Sequence, residues 1–171
     1  MENQTTTTRT ALKWGVIIGV INILYSTAIM VSGQIGNQTM GYAVYLIIGV
    51  GIYIALTDFR KENQGFISYG QGLGLGVLQS AIVGIISGFF TFGYMKFIDP
   101  SITDQMLKKA VEEMEKKGMP DDQIEQAMEY SKMFMSPGAL FIFGLFGTIL
   151  VGFILSLIIA AIVKKDKPVF E

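Results

Sequence analysis

The stretch YGQGLGLGVLQSAIVGIISG, residues 69–88, crowds glycine among leucine and isoleucine. Glycine-rich turns cradle phosphate through their backbone N–H groups, so a nucleotide site is the first chemistry to test. The spacing fails that test. A dinucleotide fingerprint needs glycines at i, i+2 and i+5 between a strand and a helix, whereas these fall at 70, 72, 74 and 76 and run on into apolar sequence with no Walker lysine behind them. The other reactive groups are carboxylates: Glu112, Glu113, Glu115, Asp121 and Asp122. A solvated helix face accounts for them, and the chain has no histidine and no cysteine to serve as general base, thiol nucleophile or ordinary zinc ligand. The expectation is a protein with no catalytic residues, no metal and no cofactor.

The elements that hold these residues are apolar. Of 171 residues, 51% are hydrophobic and 16% charged, and the mean hydropathy is +0.49; soluble domains carry about 25% charged residues. Lys and Arg number 13 against 14 Asp and Glu, which lacks the basic footprint of a nucleic-acid binder. Four apolar segments, about 12–31, 40–57, 72–97 and 138–163, approach the roughly 20 residues that cross a hydrocarbon core. They are continuously apolar, not alternating, so an all-α integral membrane four-helix bundle is expected rather than a barrel. The first segment also admits a signal-peptide reading, with Ser26-Thr27-Ala28 as a cleavage triplet, but its apolar run continues through Val31.

Orientation is read from Lys and Arg near segment ends. Arg9, Lys13, Arg60, Lys61, Lys164, Lys165 and Lys167 sit tightly on one side. Lys96, Lys108, Lys109, Lys116, Lys117 and Lys132 stand on the other, mostly within an acidic connection. Both termini are expected in the cytoplasm. That connection reads as an extramembrane amphipathic helical hairpin, about 101–135, with Ser101 and Asp104 as a capping box and Pro120 at a first helical position. Ile102, Met106, Ala110, Val111 and Met114 form one stripe; Ile124, Ala127, Met128, Ser131 and Met135 form another. Such methionine-rich stripes serve either as a cap for a partner or as surfaces that pack on each other and on the bundle.

Read in steps of four, the opening stretch is a row of small residues: Gly72, Gly76, Ser80, Gly84 and Gly88. Gly144, Thr148, Gly152, Ser156 and Ala160 repeat the device in the fourth segment, and Gly15 and Gly19 shorten it in the first. Membrane helices associate through close backbone approach, which such rows permit. The third helix is therefore expected to cross the fourth or the first, with a homodimer seam as the alternative. A faint repeat, GVIIGVIN at 15–22 and GLGLGVLQ at 72–79, suggests a parallel pair of two-helix units. It sets Asn22 and Gln79 near the bilayer centre as buried polar groups, either as interhelical glue or as part of a solute site.

The segments ALKWGVIIGVIN, GFISYGQGLGLG, the Asp99-Pro100 pair and AAIVKK together resemble the domain of unknown function 4199, a family of small bacterial four-helix membrane proteins. The resemblance implies that architecture and a bacterial inner membrane, and it carries no reaction. Two roles follow. One is a scaffold or accessory subunit that packs on itself or on another membrane protein within the lipid bilayer through its glycine seams. The other is a small transporter or channel for a neutral solute, with Asn22, Gln79, Ser26 and Ser80 along a polar path.

Overall fold

The computed structural model describes residues 6–35 and 37–168. Six α-helices follow in order: α1 (Thr7–Val31), α2 (Gln38–Glu62), α3 (Tyr69–Gly93), α4 (Ser101–Lys116), α5 (Asp121–Phe134) and α6 (Pro137–Val163). A π-helical turn, Tyr94–Ile98, continues α3. Among the described residues there is no strand; one isolated bridge joins Ile67 to Lys165. Helices α1, α2, α3 with its π turn, and α6 are each long and apolar enough to cross a membrane. The chain is a multi-span membrane protein. Helices α4 and α5 form the hairpin and are not among those four.

Local chemistry sets the ends. Thr6 caps α1 by accepting from the Arg9 N–H at 3.2 Å, and Asn37 caps α2 by accepting from the Thr39 N–H at 3.0 Å. Ser68 and Gln71 close a full capping box on α3, with Gln71 N–H donating to Ser68 Oγ at 3.3 Å and Ser68 N–H to Gln71 Oε1 at 2.9 Å. Ser136 caps α6, and Pro137 takes its first position, where a missing N–H costs nothing. α2 stops at Asn63, after which Gln64 and Gly65 take φ of 56° and 86°.

The helices outrun the apolar segments that announce them. α2 continues past residue 57 through Asp58, Arg60 and Lys61, because backbone hydrogen bonding persists into polar surroundings where the apolar signal has ended. α3 begins three residues before Gly72, at Tyr69, under its capping box. In the hairpin, Ser101 is not the cap: the Asp99 carboxylate accepts from Ser101 N–H at 3.1 Å and from Ser101 Oγ at 2.6 Å. An acceptor side chain two residues upstream reaches the free N–H first, so the capping box with Asp104 is not formed. Pro120 sits one position outside α5 with an extended ψ of 148°.

α3 packs most extensively on α6 and α1, while α2 spans α1 and α6 on the opposite side. Ala11, Ile18, Ile48, Ile52, Ala55, Leu56, Leu75 and Val83 form the main core, in the half of the bundle that carries the termini. At that end Arg60 donates to the Val163 carbonyl at 3.0 Å and so completes the α6 terminus. Asp58 accepts from Lys13 at 2.8 Å and from the Trp14 indole at 2.7 Å, fastening α2 to α1. A smaller cluster of Ile35, Met95 and Ile102 closes the hairpin end.

Candidate functional site

The two long rows of small residues meet each other. A Cβ added to Gly72 would lie 3.0 Å from Ala160 Cβ, one on Gly76 would overlap Ser156 Oγ and lie 2.9 Å from its Cβ, and one on Gly84 would lie 3.3 Å from Thr148 Cβ. A Cβ on Gly152 would overlap Ser80 Oγ and Cβ. Each step of four up α3 is thus matched by a step of four down α6, and the helices run antiparallel. At the centre the fit is reciprocal: Gly76 receives Ser156, and Gly152 receives Ser80. Both hydroxyls are turned back onto their own helix, Ser80 Oγ donating to the Gly76 carbonyl at 2.8 Å and Ser156 Oγ to the Gly152 carbonyl at 2.5 Å.

The short row in α1 packs on α3 in parallel. A Cβ at Gly15 would meet Ile82 Cβ at 2.8 Å, and one at Gly19 would meet Ile86 Cβ at 3.3 Å. Gly51 of α2 belongs to the same machinery although it falls in no row: its Cβ would stand 2.6 Å from Ile18 Cγ1 and 3.1 Å from Gln79 Nε2. It is not among the residues the sequence singles out; two glycines close together in one span, Gly49 and Gly51, are the signal that could have found it.

The seam ends toward the hairpin. At Gly88 the neighbour is the Phe141 ring, 2.9 Å from an added Cβ, and Gly144 has open space where its partner would be. There the helices part around a cavity of about 330 Å³. Asn22 and Ser26 of α1, Gly84, Ser87, Gly88 and Thr91 of α3, and Gly144 and Thr148 of α6 line it, with Met30, Met95, Met106 and Phe141 among the apolar walls. Among the described residues, no charged side chain and no residue of α2 lines it. Ligand cavities begin at about this volume and are commonly apolar with a few convergent polar groups.

The two amides separate. Asn22 is 6% exposed; its Nδ2 donates to Ser87 Oγ at 3.3 Å, and its Oδ1 has no partner. Gln79 lies deeper, 1% exposed, with neither Oε1 nor Nε2 partnered. They form no bond with each other. Of the residues placed on a polar path by the sequence, Asn22 and Ser26 face the cavity; Gln79 and Ser80 are packed below it.

A family model described as a protein of unknown function, DUF4199, matches residues 13–165. The chain belongs to that family. In this DUF4199 member the match runs from the second turn of α1 to the bridge beyond α6, and so takes in the seams and the cavity together. No curated protein and no solved structure matches the chain.

Proposed function

We propose that this chain is a non-enzymatic membrane protein whose cavity receives one small uncharged molecule, either to hold it or to pass it on. One observation carries the reading: Asn22 is nearly buried, keeps an unpartnered carbonyl oxygen, and stands on the wall of a cavity whose described lining residues carry no charge. A charged ligand would shed its hydration there with no counter-charge to replace it, which is prohibitive in such surroundings. A neutral molecule with a polar group would instead satisfy the amide once the covered Asn22 oxygen turns to the cavity.

The scaffold role draws less support, since α3 and α6 spend their glycine rows on each other and leave no long seam for a second copy or another membrane protein. The start of α1 and the end of α6 lie on one side of the bundle, and the lysines and arginines that hug helix ends there favour the cytoplasmic face of a bacterial inner membrane. The test is thermal stability of the purified protein against panels of neutral and charged solutes. A bound solute at a hundred times its Kd adds about 2.7 kcal/mol. Neutral solutes should raise the melting temperature of the native protein and not of Gly144→Trp, whose indole would fill the cavity. Equal stabilisation by charged solutes, or of the filled variant, would refute the reading.

A further inference from the structure

Resting on the cavity as a site for an uncharged molecule, we propose that its occupant is a single-chain lipid with a hydroxyl head, drawn sideways from the bilayer. The cavity has walls on three helices and closures at both ends. Toward the hairpin, Ile35, Met95, Ile102 and Met106 roof it. Lys109 donates to the carbonyls of Gly33 and Ile35, pinning α4 over that roof. Toward the termini, Ser80, Val83 and Gly152 pack without a gap. The side left without a wall is the one that α2 does not supply, beside the exposed Gly144. That side opens toward hydrocarbon, so the route in is lateral, and a molecule already dissolved in the bilayer reaches it without crossing the apolar roof.

The head follows from Asn22. Ser87 occupies one end of its amide at 3.3 Å; the other end has no partner and is itself covered, so it meets a head group once the amide turns toward the cavity. A hydroxyl both donates and accepts, so it completes the amide in either orientation. Ser26, Thr91 and Thr148 are neutral hydroxyls as well and offer an ammonium or carboxylate head no counter-charge. The tail follows from the rest of the lining, where Met30, Met95 and Met106 present pliable apolar surface suited to a flexible chain. At roughly 30 Å³ for a group the size of a water molecule, the cavity takes about ten such groups, a head and the first part of a chain.

The experiment reconstitutes the full chain in nanodiscs with a photoreactive long-chain primary alcohol, beside the carboxylic acid and quaternary ammonium of the same tail. Labelled peptides are mapped after illumination. The alcohol should label residues 84–95 and 140–148 at least about fivefold above the charged analogues. Gly144→Trp should abolish that labelling, and Asn22→Leu should cut it about five- to tenfold, the loss of one buried hydrogen bond. Labelling at these peptides that ignores the head group, or that survives Asn22→Leu unchanged, overturns the proposal. If the alcohol fails while water-soluble neutral solutes still stabilise the native protein and not Gly144→Trp, the lipid identity falls and the cavity reading stands. If neither binds, both fall.

Discussion

Replacing Gly152 with alanine should be among the most damaging single-methyl additions in this protein. The new methyl would overlap both Oγ and Cβ of Ser80, so rotating the hydroxyl gives no relief and α3 and α6 must move apart. Overpacking of a tight core costs typically 1–3 kcal/mol. The upper end applies here, because parting the helices also loosens the contacts at Gly76 with Ser156 and at Gly72 with Ala160. A gap of 0.5–1 Å forfeits about a quarter to a half of each dispersion well. Ser80→Gly alone should cost about 1 kcal/mol, from a lost contact and a helical glycine. Combined, the two changes exchange knob for hole, and the double variant should sit near 1 kcal/mol rather than the additive value of about 4. Reversible unfolding in mixed detergent micelles measures all three. Additive costs, or a harmless Gly152→Ala, would show that Ser80 and Gly152 do not face each other.

Three further outcomes are expected. Gln79→Met should leave stability unchanged or raise it by about 1–3 kcal/mol, since it removes a buried amide with no partner at either end; the same unfolding assay decides, and a clear loss would mean that Gln79 has a partner. Asp58→Ala should cost about 1–2 kcal/mol through loss of the Lys13 and Trp14 bonds, whereas Asp58→Asn should keep the indole bond and about half of that, again read by unfolding. Lys109→Met should leave global unfolding nearly unchanged yet speed amide hydrogen exchange in residues 32–35 and 101–110, where its ammonium ties α4 to the loop carbonyls.

The four spans were legible because a run of apolar residues has few other uses, and the small-residue rows were legible because the four-residue step is a property of the helix itself. That α3 pairs with α6 over Gly72 to Gly84 and with α1 at Ile82 and Ile86 was not fixed by either row alone, since the glycines that admit α1 belong to α1 itself, at Gly15 and Gly19. Gly51 escaped notice because it belongs to no row, and its role comes from Ile18 and Gln79 on two other helices. Asn22 and Gln79 look equivalent in their matching octets. Only tertiary packing separates them: Gln79 faces the crowded half where α2 closes in at Gly51, while Asn22 faces the half where the seam has ended. Apolar runs do not mark helix ends where polar residues continue a helix, as at Asp58 to Glu62, and a cap is not legible where a neighbouring acceptor takes it, as Asp99 does from Ser101.

The inward turn of Ser80 and Ser156 has a consequence for how the protein is made. Each hydroxyl is already satisfied by a carbonyl of its own helix, so neither hydroxyl is an unmet polar group in oil while its span stands alone. α3 leaves the ribosome well before α6, separated from it by the whole hairpin, and its seam hydroxyl can wait in the bilayer already bonded. When α6 arrives, the two need only slide together, with no bond to break before they join.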